Sequence, residues 1–273
     1  MFHALKDQTC FSSLGQARRI WAVPAIHSDV DALMHLHDSI HGLVKPGDRI
    51  VYMGNYTGYN EGAAETIDEI LAFRRLLLAM PGMMPQDFIY LRGVQEEMWD
   101  KLLQLQFAPN PGDVLLWMLG NGLSPSLYSY GISPHDGIEA RSQGIMHLTK
   151  WTASVRAAIR RRPGHEIFGT QLRRAAYTPT DENYPMLFVH AGLDASKPLG
   201  DQGDNFWWGS DKFSAITQAY KPFEKVIRGF DPAHKGLHLN CVTATLDDGC
   251  GFGGKLVCAG FTRAGEIEEL VEV

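Results

Sequence analysis

The stretch RIWAVPAIHSDVDALMHLHDSIHGLVKPGDRIVYMGN, Arg19 to Asn55, decides the fold class. RIWAVPAI (Arg19 to Ile26) and DRIVYMG (Asp48 to Gly54) are short apolar runs bounded by turn residues, the pattern of strands buried on both faces. Between them Val30, Leu33, Met34, Leu36 and Ile40 recur at helical spacing, with Asp29 placed to cap the first turn and Gly42 to end the last. Working outward, Glu61 to Met80 reads as a second helix stopped by Pro81 and Gly82, and DFIYLRG (Asp87 to Gly93) as a third strand. Strand, helix, strand, helix, strand is an α/β layered pattern, and such sheets build their sites in the loops at the carboxyl ends of the strands.

From about Leu105 to Arg162 the pattern changes. Two Pro/Gly-rich breaks, APNPGD and NGLSPS, precede a helical stretch expected to run from Ile138 to Arg162, so residues 105–162 read as a helical insertion. Strand signals return in PMLFVHAG (Pro185 to Gly192), KVIRGF (Lys225 to Phe230), LHLNCV (Leu237 to Val242) and GGKLVCAGF (Gly253 to Phe261), predicting a second sheet packed on the first. The acidic C-terminal EIEELVEV is expected at a surface edge.

With 273 residues, 45% hydrophobic and 21% charged, the chain can bury a large core, which excludes disorder as its main state and allows one or two domains. A net charge of −6, from 25 basic and 31 acidic residues, argues against a nucleic-acid partner. Apolar stretches are too short and interrupted for a membrane span, and the start MFHALKDQTCFSS lacks the features of a signal peptide, so a cytoplasmic protein is expected. The cysteines Cys10, Cys241, Cys250 and Cys258 show no C-x-x-C spacing, which favours buried free thiols over disulfides or zinc.

Read together, the strand-end loops resemble the calcineurin-like metallophosphoesterase superfamily, and within it the bacterial serine/threonine phosphoprotein phosphatase branch. That family carries G-D-x-H-G, G-D-x-x-D-R-G, G-N-H-E, H-A-G and G-H-T in order. The corresponding stretches are PAIHS (Pro24 to Ser28), GNYTGYN (Gly54 to Asn60), RGVQE (Arg92 to Glu96), HAG (His190 to Gly192) and GFD (Gly229 to Asp231). HAGLDASKPLGDQGDNFWWGSDKF and LDDGCGFGGKL extend the likeness, which covers roughly Arg19 to Phe261. It implies a single domain, residues 1–273, with a four-layer α/β/β/α sandwich of two mixed sheets carrying the helical insertion.

In this family two divalent metals, held by aspartate, histidine and asparagine, clamp a phosphate ester and generate the attacking hydroxide. The carboxylates offset the repulsion between the cations. Here the ligand positions hold Ala25 and Asn55 in place of aspartates, Val94 and Gln95 in place of the asparagine and catalytic histidine, and Phe230 in place of the last histidine. Gly58 and Tyr59 replace a further aspartate and the phosphate-binding arginine. His27 and His190 remain, as do Arg92 and Glu96 around the lost G-N-H core. The resemblance with these losses implies a pseudophosphatase, with no resident cofactor, that binds a partner protein or a phosphorylated ligand. The alternative is an active phosphoesterase using one divalent metal, such as Mn, Fe or Zn, on His27, Asn55, His190 and Asp231 or His234.

Each singled-out residue has a plainer explanation. His27 and His190 are either a remnant metal or anion site or histidines bonded to backbone, and Asn55 either a ligand or a loop cap. Arg92 is either an anion clamp or an ion-pair partner of Glu96 or Glu97. His35, His37 and His41 are expected on a solvated helix face, Arg160 to Arg162 and Arg173 to Arg174 on solvated surface, and Trp207 and Trp208 in packing. Asp231, His234 and His238 are the residues from which new ligands could come.

Overall fold

Hydrophobic alternation along the strands separates three cores and thereby sets the layers. The computed structural model describes residues 9–273, so the amino-terminal residues used above against a signal peptide lie largely outside the described residues. Its strands are β1 (Phe11–Ser13), β2 (Ile20–Val23), β3 (Arg49–Tyr52), β4 (Phe88–Tyr90), β5 (Ala175–Tyr177), β6 (Met186–Val189), β7 (Lys225–Arg228), β8 (His238–Leu239), β9 (Thr243–Thr245), β10 (Val257–Phe261) and β11 (Ile267–Glu272). The described residues form one sheet in the order β11-β10-β2-β3-β4 and a second in the order β1-β5-β6-β7-β9-β8. Both are mixed: β2, β3 and β4 run parallel and β10 is antiparallel to its neighbours β2 and β11, while β6, β7 and β9 run parallel with β8 antiparallel.

Successive side chains on a strand point to opposite faces. Ile20, Ala22, Val51 and Ile89 therefore meet Met186, Phe188 and Ile227 between the sheets. Trp21, Val23, Ile50, Tyr52, Phe88 and Tyr90 point the other way. They are covered by α1 (Val30–His41) and α2 (Ala63–Leu78), whose Leu33, Leu36, Ile40, Ile67, Ile70 and Phe73 join that core. Asp29 caps α1 as its position suggests, its carboxylate accepting from the Ala32 N–H at 3.1 Å.

The outer face of the other sheet is covered by α3 (Val94–Leu102), α4 (Pro111–Met118), α5 (Ser124–Ser129), α6 (Pro134–Ser142) and α7 (Ile145–Arg161); α8 (His165–Thr170) packs its Phe168 into the core of the first sheet instead, and α9 (Asn205–Trp208) and α10 (Ser210–Phe213) return to the second. Leu115, Leu127, Leu148, Trp151 and Val155 pack there with Leu187, Val189 and Val226. The order is helices, sheet, sheet, helices: an α/β/β/α sandwich.

Several local expectations need correction. The helix expected from Ile138 to Arg162 is two helices, broken at Gly144, whose φ of +103° an L-residue rarely adopts. LHLNCV is not one strand: the Asn240 carboxamide accepts from the N–H groups of Val242 and Thr243, turning the chain between β8 and β9. The short strands β1 and β5 carry no readable signal, because they are specified by pairing with remote segments, β1 with β5 and β5 with both β1 and β6. His37 is buried, not solvated. Its ring stacks on Phe73 at 3.9 Å, and its nitrogens lie 2.5 Å from Glu69 and 2.8 Å from the Tyr52 hydroxyl. EIEELVEV does form an edge strand, β11, with alternating exposure. No helix among the described residues is long and apolar enough to cross a membrane. The four cysteines are free, with Cys250 and Cys258 buried, Cys10 half-buried and Cys241 exposed.

Candidate functional site

The loops after β2, β3, β4, β6 and β7 converge where the two sheets meet. Main-chain bonds join them: Ala25 N–H donates to the Gly229 carbonyl at 2.9 Å, and the N–H groups of Ile26 and His27 donate to the Asn55 carbonyl at 3.0 and 2.9 Å. Among the described residues, the non-glycine residues with positive φ are His27 (52°), Ser28 (62°), Asn55 (52°), Tyr59 (64°) and His234 (44°), all in these loops. Such conformations cost on the order of 1 kcal/mol or more and persist only where neighbours enforce them.

One enforcing neighbour is Glu96. Its buried carboxylate accepts from Asn55 N–H at 2.8 Å, Tyr56 N–H at 2.9 Å and Gly93 N–H at 2.9 Å, tying the β3 loop to the start of α3. Burial raises its pKa, opposed by these three donors. Gly93 is required by close approach, since a Cβ there would lie 2.5 Å from Asn55 Oδ1 and 2.7 Å from His190 Cε1.

The polar side chains form a short chain. His190 Nδ1–H donates to the Met53 carbonyl at 2.7 Å, leaving the Nε2 lone pair buried and without a partner. Asn55 Oδ1 accepts from Gln95 N–H at 3.1 Å, which turns its NH₂ toward His27 Nε2 at 3.5 Å. His27 Nδ1 is left buried and unpartnered. Burial pushes the pKa of His27 down to about 3, with electrostatic repulsion from His190 and His234 adding to it, and burial pushes that of His190 down to about 4. Both imidazoles are neutral at neutral pH.

Aromatic rings crowd the remaining space. Phe230 lies parallel to His190 at 5.1 Å between centroids, and His27 is met edge-on by Phe252 at 4.9 Å, Tyr59 at 5.4 Å and Phe230 at 5.5 Å. Ala25 and Val94 add buried apolar surface. His234 is the nearest further titratable ring, 6.4 Å from His27, with its Nδ1 bonded to the buried Asp247 carboxylate at 2.9 Å.

Two divalent cations do not fit this donor set. Two neutral imidazoles and an amide carry no charge to offset the repulsion between the ions, and the Asn55 NH₂, not its oxygen, faces His27. Among the described residues no group of three or more His, Cys, Asp or Glu side chains is arranged around a common metal position.

The other sequence candidates lie apart from this chain. Arg92 donates to Glu97 at 2.9 Å, lies 3.7 Å from Asp100, and lines a different cavity, bordered by neither His27 nor His190. Asp231 pairs with Arg228 at 2.7 Å, and its main-chain N–H donates to Asp247 at 2.8 Å. His238 is exposed on β8. Arg160 and Arg162 pair with Glu166, Glu65 and Asp68, while the Arg174 guanidinium lies over the Trp207 ring. Trp207 is buried and Trp208 is about half exposed, 5.8 Å from Trp117. Sequence reasoning missed Asp247 as the partner of His234, and it missed Phe252 altogether; the LDDGCGFGGKL stretch that holds both was the available signal.

The layer order agrees with that of solved structures. A protein assigned as a diadenosine tetraphosphatase superposes with a TM-score of 0.58 at 16% identity, covering 97% of both chains. The fold is that of the metallophosphoesterases. A serine/threonine phosphatase from Saccharomyces cerevisiae shares it, with a TM-score of 0.52 at 14% identity, covering 99% of this chain and 85% of the other. No family model and no curated protein matches the sequence. In this metallophosphoesterase fold the crowded loops described above occupy the strand ends, where open α/β sheets place their sites.

Proposed function

We propose that this chain is a pseudophosphatase, a single metallophosphoesterase domain with a helical insertion that acts in the cytoplasm by binding rather than by hydrolysis. The observation that carries this reading is the ring of Phe230 stacked on His190 in a site whose donor set has no carboxylate. Hydrolysis by a dinuclear centre requires both ions, and Phe230 offers neither charge nor lone pair where the resemblance calls for a ligand. Of the two binding roles, a protein partner is better supported than a phosphorylated ligand. Within the crowded site a phosphate would meet no free cation, since His27 and His190 are held neutral and Arg92 is engaged with Glu97. Neither nucleic acid nor a membrane fits a chain of net charge −6 with short apolar runs.

A second reading draws on the two unpartnered imidazole nitrogens: a single divalent metal on His27, Asn55 and His190, with an active phosphoesterase as the consequence. Metal analysis of protein purified without chelator, with turnover of an aryl phosphate in added manganese, separates the two. The pseudophosphatase predicts substoichiometric metal and no turnover above buffer. Stoichiometric metal, with turnover that disappears in His190→Ala, would overturn it.

A further inference from the structure

Thr57, two residues beyond Asn55 in the same loop, lines a separate cavity of about 270 Å³. Its walls are largely apolar, with Trp99 and Phe168 as the rings and Tyr130 standing edge-on to Trp99 at 5.5 Å. Tyr130 is held from behind. Its hydroxyl donates to His165 Nδ1 at 2.8 Å, and His165 Nε2–H donates to Asp68 at 2.9 Å, so a relay through the buried His165 fixes one wall. The Thr57 hydroxyl is buried and has no partner.

Charge is unbalanced at one point of the lining. Glu96 is satisfied by three main-chain N–H groups, Glu166 pairs with Arg160 at 2.6 Å, and Asp100 lies 3.7 Å from Arg92, itself bonded to Glu97. Arg156 has no carboxylate partner among the described residues. Its Nη2 donates to the Leu103 carbonyl at 2.9 Å, which orients the guanidinium and leaves the rest of its fork free. A half-buried, oriented guanidinium beside apolar walls and an unsatisfied hydroxyl is what a small organic acid requires.

The geometry points to a binding site for a small carboxylic acid with an apolar body, its carboxylate on the Arg156 fork, its body between Trp99 and Phe168, and a polar atom reaching Thr57 Oγ1. The cavity size limits the ligand to a compact molecule, at or below the lower end of ordinary ligand pockets at about 300 Å³. This site goes beyond the proposed loss of hydrolysis, and its readout needs neither metal nor turnover.

Calorimetric titration of the full chain with hydrocinnamate, and with hydrocinnamyl alcohol as the uncharged analogue, tests the assignment. The acid is expected to bind at least about tenfold more tightly than the alcohol, the factor that corresponds to one charge-assisted hydrogen bond. Arg156→Gln should bring the acid down to the alcohol's affinity, while Arg161→Gln, exposed on the same helix, should leave it unchanged. Arg156→Lys, which keeps the charge and loses the fork, should fall between and serves where the glutamine variant does not fold. Equal affinity of acid and alcohol for the unaltered chain, or an acid affinity insensitive to Arg156, overturns the site. So does the absence of binding by hydrocinnamate, benzoate and hexanoate alike at millimolar concentration.

Discussion

The phenyl ring of Phe230 and the imidazole of His190 lie 5.1 Å apart between centroids and 11° from parallel. Phe230 follows β7 and His190 follows β6, so this contact closes adjacent strand-end loops over the place where the resemblance would put metal ligands. Removing the ring by Phe230→Ala is expected to lower stability by about 1–3 kcal/mol, below the range for fully buried phenylalanine because Phe230 is only half-buried. Urea unfolding measures this. An unchanged midpoint would mean that the ring is not a packing element.

The buried histidines make stability depend on pH. Burial holds His27 and His190 at pKa values of about 3 and about 4 in the folded chain, against about 6.5 for a solvated imidazole. The unfolded chain therefore binds more protons below pH 6.5, and the stabilising contribution is complete above that value and lost as pH falls toward the folded values. Between about pH 7 and about pH 5, unfolding free energy should fall by roughly 1–2 kcal/mol per histidine. Denaturation curves at the two pH values, repeated with His27→Asn, check the sign. A variant with the same pH slope as the parent would exclude His27 as a source.

Glu96→Gln tests the tie between the β3 loop and α3. The carboxylate accepts three main-chain N–H bonds, whereas glutamine offers one oxygen and turns an NH₂ toward buried donors. The expected loss is about 2–4 kcal/mol, from the charge-assisted bonds and the donors left unsatisfied. Thermal and urea unfolding should agree on it, and a change below about 0.5 kcal/mol would show that water replaces the carboxylate without cost.

Restoring the ligand set tests both the motif correspondence and the proposed function. The combined change Ala25→Asp, Asn55→Asp, Val94→Asn, Gln95→His and Phe230→His should give a chain that melts lower than the parent without metal, because it buries unpaired carboxylates. Added manganese should raise the melting temperature and bind measurably by calorimetry. A folded variant that binds no manganese would show that these residues do not occupy the family's ligand positions.

Much of the fold was legible because the strands of its centre are buried on both faces. Trp21 and Val23 face helices while Ile20 and Ala22 face the opposite sheet, so β2 reads as a continuous apolar run, and β3, β4, β6 and β7 behave likewise. The three-residue strands β1, at the edge, and β5, beside it, need no such run, since main-chain pairing between remote segments defines them. The break at Gly144 was hidden because the apolar spacing continues across it. His37 misled for another reason: a polar side chain on a helix reads as solvated unless its partners are known, and Glu69 and Tyr52 lie in other elements.

By itself the sequence determined the α/β layering, the order of the strand-end loops, and the residue types Ala25, Asn55, Val94, Gln95 and Phe230 at the positions that the resemblance compares with ligands, since these depend on residue type and spacing along one chain. Only the tertiary structure decided where the side chains point: Phe230 onto His190, Arg92 toward Glu97, His234 onto Asp247, and Arg156 toward the Leu103 carbonyl with no carboxylate bonded to it. Direction is set by packing and hydrogen bonding between segments far apart in the chain. Those long-range contacts pack rings and hydrogen-bonded side chains together at the strand ends.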